Sequence, residues 1–245
     1  MDNLALVVNT NSNYKDIWPM FYGQLSKYYP NINTYTFTDK DEDLLYGGIH
    51  LIYDNTTSFR DQYLNCIKKV SEKYIITLND DYILYNYVDF DKIKNYINIL
   101  ETTDYSFIRF TATDQTRNES RYIKGLWKIP FYNPNIYSQT TSIWKTKTLE
   151  KIYEKGPQLH IGTKGDTDGH FEVSANQTCM SLGIEGLCYW DGEPKRGQAH
   201  YDNDIVPYIA SALIKGKWNT KEYSKELLPL IKKYNIDISI RGCYE

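Results

Sequence analysis

The 245-residue chain has no block of Lys or Arg, no paired cysteine motif and no glycine-rich phosphate loop. Its 28 basic residues are scattered against 31 acidic ones, giving a net charge of −3, and no aromatic RNA-binding signature accompanies them. Nucleic acid is therefore not an expected partner. The four cysteines, Cys66, Cys179, Cys188 and Cys243, lack metal-ligand spacing and are too few for a disulfide framework in a chain this long. They read as reduced thiols. The first apolar run, Leu4-Ala5-Leu6-Val7-Val8, has no basic stretch before it and is too short for a signal peptide or a membrane span. A cytoplasmic protein is the expectation, and the three glycosylation-acceptor triplets at Asn55, Asn118 and Asn176 carry no weight in that setting. No G-x-G-x-x-G follows the run and no Gly-rich loop ends in Lys-Ser/Thr, so the dinucleotide and P-loop readings lose their main support. Without repeats, low-complexity tracts or a linker, residues 1–245 read as a single domain.

What is present alternates between two periods. Leu4 to Val8 reads as a buried strand, Asn9 to Asn13 as a polar loop, and Asp16 and Pro19 suit the first turn of a helix. Gly48 to Tyr53 reads as a second strand. Ser58-Phe59-Arg60-Asp61 resembles a capping box that opens a helix carrying Phe59, Tyr63, Ile67 and Val70. Further helices are expected near Asp89 to Leu100, Lys147 to Tyr153, Phe171 to Ser181 and Lys221 to Tyr234, and further strands over Tyr105 to Ala112 and Ile136 to Trp144. Strands interleaved with helices imply an α/β fold around a mostly parallel central sheet flanked by helices. Gly156 to Gly169 reads as a long, Gly- and Pro-punctuated functional loop.

The most telling stretch is Tyr74-Ile75-Ile76-Thr77-Leu78-Asn79-Asp80-Asp81, a β-type run that ends in three oxygen-bearing side chains. Turn chemistry alone can end a strand this way. Acids at the carboxyl end of a parallel strand can also hold a hard divalent cation together with substrate phosphates, and ligands of open α/β sheets bind at those strand ends. A nucleotide held through a metal is the function class that remains. The 24 tyrosines are mostly filler on this reading, although some can stack on a sugar or a base.

Several segments, in order, resemble bacterial and viral GT-A-type nucleotide-sugar glycosyltransferases. They are Leu6 to Ser12 with Asp16-Ile17-Trp18-Pro19 and Lys27-Tyr28-Tyr29-Pro30, then Phe59-Arg60 to Asp81 with its DxD-like end. Ser138 to Leu149, with Ile143-Trp144, resembles an Ile-Trp helix entry, Phe171-Glu172 the end of a Trp-Glu-Phe-Glu motif, and Lys215 to Trp218 a Gly-Lys-Trp element. The resemblance implies a single GT-A-like Rossmann-type domain whose residues 1–112 bind the nucleotide sugar and whose residues 113–245 bind the acceptor. It implies Mn²⁺ or Mg²⁺ and a nucleotide-diphosphate sugar as donor, with a glycan or lipid-linked glycan as acceptor, as in polysaccharide biosynthesis. Peripheral contact with a membrane face is compatible with it.

Carried onto this sequence, the resemblance makes Asp81 the first metal ligand and His200 a late one, and places Asn79 and Asp80 on the nucleotide side. Thr10, Asn11 and Asp16 are candidates for base or ribose contacts, and Arg60, Lys215 and Lys217 for phosphate contacts. Glu172 is the expected general base, with Asp168 as the other candidate beside Asp166 and His170. Asn79 replaces the first acid of a strict DxD, and Gly169-His170 replaces an aromatic anchor and an acid. Base-assisted attack opposite the leaving group would invert the anomeric carbon. A non-catalytic carbohydrate-binding module and a glycoside hydrolase with paired carboxylates are the alternatives.

Overall fold

The computed structural model describes residues 3–40, 48–114, 120–157, 168–196 and 200–244. Fifteen strands occur among them: β1 Leu4–Asn9, β2 Asn33–Thr38, β3 Ile49–Ile52, β4 Tyr74–Asn79, β5 Ile83–Leu84, β6 Phe107–Arg109, β7 Arg121–Ile123, β8 Leu126–Ile129, β9 Ser142–Lys145, β10 Gly186–Tyr189, β11 Lys195–Arg196, β12 His200–Tyr201, β13 Tyr208–Ile209, β14 Leu213–Ile214 and β15 Lys217–Trp218. The helices are α1 Trp18–Tyr28, α2 Phe59–Ile67, α3 Phe90–Thr102, α4 Thr146–Lys155, α5 Asp168–Ser181 and α6 Thr220–Lys233. Nine strands form one sheet in the order β3-β2-β1-β4-β9-β6-β10-β8-β7. Neighbours from β3 to β4 run parallel, β9 runs against both β4 and β6, and β8 runs against β10 and β7. The expected α/β architecture with a mostly parallel sheet is present.

Strand periodicity sorts the core into two layers. Leu4, Leu6 and Val8 of β1, with Tyr74, Ile76 and Leu78 of β4, pack against Trp18, Phe21 and Leu25 of α1, Ile93 and Leu100 of α3, and Leu227 of α6. Ala5, Val7 and Ile75 face the other way, toward Tyr63 and Ile67 of α2, Leu149 and Ile152 of α4, and Phe171 and Ala175 of α5. Local signals set the helix starts. The Ser58 hydroxyl accepts the Asp61 backbone N–H to cap α2, and the Asp89 carboxylate accepts from Asp91 and Lys92 to cap α3. At α1, Pro19 sits in the first turn but Asp16 lies outside the helix, and Ile17 makes no side-chain cap.

The sequence reading missed β2, β5, β7 and the strands from β10 to β15, and drew two strands too long. Thr34-Tyr35-Thr36-Phe37-Thr38 alternates polar and apolar residues as a half-exposed strand would, yet Thr36 and Thr38 are fully buried, so both faces of β2 are covered. Only Ser142 to Lys145 of the expected strand from Ile136 joins the ladder. The backbone before it bends over β6, where the Arg109 Nη2 donates to the carbonyls of Asn135 and Ile136 at 2.9 and 3.2 Å. No helix among the described residues is long and apolar enough to cross a membrane.

Candidate functional site

The carboxyl ends of β1 and β4 lie side by side, with Asn9 in register with Asn79. The strand ends at Asn79 and a turn follows, closed by the Tyr82 N–H on the Asn79 carbonyl at 3.0 Å. Asn79, Asp80 and Asp81 all border a cavity of about 590 Å³. This cavity is of the size that holds small ligands. Its lining includes Asn9, Thr10 and Asn11 after β1, Phe59, Gln62 and Tyr63 of α2, and Asn79, Asp80 and Asp81 after β4. The second half of the chain adds Ser138, Gln139 and Thr140 before β9, Glu172 on α5, His200 on β12, and Ser211, Lys215 and Gly216.

Asp80 reaches the cavity wall but is buried, and the Thr10 hydroxyl donates to it. The Trp18 Nε1 donates in turn to that hydroxyl at 2.8 Å. Burial pushes the Asp80 carboxyl up to about 7, against the lowering pull of these hydrogen bonds and of the Arg241 charge. The residue fastens the tips of β1 and β4 to α1. Beside it, the Tyr53 hydroxyl donates to the Thr10 carbonyl at 2.7 Å, and the Asn11 amide donates to Tyr53 at 3.2 Å. Asp81 is half-buried and its backbone carbonyl accepts the Ala212 N–H at 3.0 Å. That bond docks the late segment carrying Ser211 and Lys215 onto the acidic tip.

Glu172, on α5, lines the same cavity as Asp81. The preceding residue, Phe171, is buried and stacks on Tyr153 with centroids 4.3 Å apart, so the next position on the helix turns toward the cavity. One carboxylate oxygen, Oε1, accepts the Gln139 backbone N–H at 2.9 Å. The other oxygen is left to the cavity. Arg109, fully buried, puts a positive charge nearby, and its Nε and Nη1 have no hydrogen-bond partner among the described residues. His200 is held by neighbours of Tyr201, whose hydroxyl donates to Asp114 at 2.6 Å and whose backbone exchanges bonds with Thr111. Burial first, and then the Arg109 charge, lower the His200 pKa, which keeps its imidazole neutral.

Lys215 reaches the cavity because of its turn. Lys215 and Gly216 take φ of 51° and 76° between β14 and β15, a two-residue hairpin turn with both central residues left-handed. Lys217, on β15, is exposed and does not line the cavity.

Thus eight of the sequence candidates converge: Thr10, Asn11, Asn79, Asp80, Asp81, Glu172, His200 and Lys215. Three others are placed elsewhere. Asp16 pairs with Arg241. Arg60 spends its guanidinium on the C-terminal turn of α4, donating to the carbonyls of Tyr153 and Glu154 at 2.7 Å each, and on Asp61 at 3.0 Å. Lys217 points to solvent. Asp168 opens α5, but its side chain and that of His170 lie outside the described residues, as does Asp166. Sequence reading did not find Tyr53, Gln62, Gln139, Ser211 or Arg241. Only Ser211, at φ 59°, carries a local peculiarity, and that is a backbone one.

The donor set bears on the metal. Among the described residues no group of three or more His, Cys, Asp or Glu side chains could hold an ion. The described residues alone therefore make no all-protein cage, whereas Asp81 fits an ion shared with substrate phosphates, since Mg²⁺ commonly takes one or two carboxylates and fills its shell from phosphate and water.

No protein-family model matches the chain, and no curated protein matches it. Solved structures do align with it. The CMP:2-keto-3-deoxy-manno-octonic acid synthetase complexed with CTP shares 10% identity over 76% of this chain and 89% of that one, with a TM-score of 0.49. S. aureus TarS 1-349 shares 10% identity over 81% of this chain and 59% of its own, with a TM-score of 0.47. The bifunctional IspDF from Campylobacter jejuni shares 11% identity over 74% of this chain and 47% of its own, with a TM-score of 0.39. These are similarities in the course of the chain alone.

Proposed function

We propose that the protein is a glycosyltransferase that moves a sugar from a nucleotide-diphosphate donor to a hydroxyl of a glycan acceptor. The observation that carries this reading is one cavity at the ends of β1 and β4 whose lining brings together Asp81, Glu172 and the exposed Lys215. The sequence resemblance supports the same assignment of roles. A diphosphate brings negative charge to a cavity whose described lining already has the acids Asp81 and Glu172 and only Lys215 as a cationic side chain. Asp81, with His200 as a nitrogen donor, would hold a divalent cation together with the phosphates, and such an ion would supply Lewis-acid stabilisation of the leaving group.

This chain's own residues supply the rest. The free carboxylate oxygen of Glu172 takes the proton of the acceptor hydroxyl. The acceptor oxygen forms its bond to the anomeric carbon as the bond to the phosphate oxygen breaks, and the electron pair leaves with the diphosphate beside the Lys215 ammonium. Attack from the side of α5 inverts the anomeric carbon. Gln139 fixes the base through its backbone N–H, and the Asp80, Thr10 and Trp18 chain holds the ends of β1 and β4.

The test is a thermal-shift panel of UDP-, GDP-, dTDP- and CMP-sugars with Mn²⁺, with Mg²⁺ and with chelator, because a ligand that binds only the native state raises its stability. Stabilisation by one nucleotide that needs the metal is the expected result and names the donor class. No stabilisation by any of them, together with hydrolysis of a simple glycoside, replaces this reading with a hydrolase.

A further inference from the structure

The cavity rim is assembled from segments about 200 residues apart, the loop after β1 and the β14–β15 turn, and one side chain reaches both. Arg241 donates from Nε to Asp16 Oδ2 at 2.6 Å and from Nη2 to Asp16 Oδ1 and to the Asn13 carbonyl, the latter at 3.0 Å. Its Nη1 lies 3.5 Å from the Gly216 carbonyl, and its guanidinium sits over the Tyr14 ring at 4.7 Å. Tyr14 and Gly216 both line the cavity, as does Lys215 beside Gly216. The pair is well shielded, with side-chain exposures of 11% and 15%. The tail carrying Arg241 is itself fixed: Trp218 N–H donates to the Gly242 carbonyl at 3.0 Å and Tyr244 N–H to the Trp218 carbonyl at 2.8 Å.

We propose that Arg241, through Asp16, is a positioning residue that clasps the two halves of the rim and sets where Lys215 and Tyr14 stand for the incoming donor. The planar fork suits this task, because one guanidinium can meet a carboxylate with two nitrogens and still reach two carbonyls, which an ammonium cannot do. Lys215 needs such a hold. It sits in a left-handed turn that costs a non-glycine residue energy, and it is exposed at the rim. The proposal rests on the donor-binding reading for its kinetic consequence. Its structural consequence stands apart from that reading.

Two measurements on Arg241→Ala test it. Amide hydrogen exchange is expected to accelerate together at Asn13 to Asp16 and at Lys215 to Gly216, and donor KM to rise roughly tenfold with kcat within about twofold, as for displaced substrate-holding groups. Arg241→Lys restores the charge without the fork and is expected to recover less than half of the KM change on a logarithmic scale. Should Arg241→Ala fail to fold, Asp16→Asn keeps the two carbonyl contacts and carries the same exchange and KM tests with smaller changes. Acceleration confined to the tail at 238–244, or an unchanged KM with both rims loosened, overturns the clasp. If the unmodified protein takes no nucleotide sugar, the functional reading fails, and the exchange pattern alone then decides on the clasp.

Discussion

The two halves of the central sheet are built differently. From β3 to β4 the strands are parallel, four to six residues long, and paired without slips, whereas from β9 to β7 the directions are mixed, with β6 and β10 parallel and the other neighbours antiparallel, strands have three or four residues and the outermost pair contains a register irregularity. The regular half supplies the strand ends that border the cavity, with Thr10 and Asp80 hydrogen-bonded together and Asp81 half-buried beside them. The rest of the lining comes from outside that sheet, with Glu172 on α5, His200 on β12 and Lys215 in the β14–β15 turn, and from Ser138 to Thr140 just before β9. Regular pairing gives strand ends held in place, and short, variously directed segments allow side chains to converge on them from several angles.

The largest expected effect divides binding from turnover along this line. Glu172→Gln is expected to keep metal-linked donor binding and lower kcat by about 10²- to 10⁴-fold. Asp81→Ala is expected to remove the metal-linked part of the thermal shift itself. Equal behaviour of the two variants in both assays breaks the division.

Asp80 sharpens the comparison through pH. Its folded pKa, about 7, lies above the ordinary 3.8, so between those values the folded chain holds a proton that the unfolded chain has released. Stability therefore falls as pH rises through that window and levels off above it. At about 1.4 kcal/mol per pKa unit the loss is at most about 4 kcal/mol. Asp80→Asn is expected to flatten this dependence and to be more stable than the unmodified protein near pH 8 by denaturant unfolding. A pH dependence that survives the substitution means that the charge is settled elsewhere.

Smaller effects separate neighbours. Lys215→Ala is expected to raise donor KM by roughly tenfold, and Lys217→Ala to leave it unchanged, which steady-state kinetics over donor concentration reads directly. Arg60→Ala is expected to cost about 1–2 kcal/mol of stability through the lost bonds to the α4 carbonyls, with donor affinity retained.

Legibility in the sequence followed the same division. The strands β1, β3 and β4, the capped starts of α2 and α3, and the position of the acidic tip could be read locally, because short-range hydrogen bonding and apolar runs fix them. The burial of Asp80 was not legible, since it lies in the turn after Asn79 and is held by the Thr10 hydroxyl, 70 positions away. Asp16 looked like a helix-start residue and is instead the partner of Arg241, 225 positions away, which no local pattern encodes. The Lys215 turn has the same character: Gly216 hints at it, but the choice of Lys215 over Lys217 depends on a left-handed backbone that sequence spacing does not specify. The alternation of Thr34, Tyr35, Thr36, Phe37 and Thr38 is a local mark of β2 that the sequence reading missed; what it could not give is that Thr36 and Thr38 are buried as well.

The docking of Ala212 onto the Asp81 carbonyl has a consequence for how the protein can come apart. Because the lining runs from Asn9 to Gly216, neither half can open without dismantling the pocket. A bound ligand would then protect the slowest-exchanging amides of β1 and β4 as much as the late hairpins, and its dose dependence would report cooperative, whole-chain unfolding rather than the loosening of one loop.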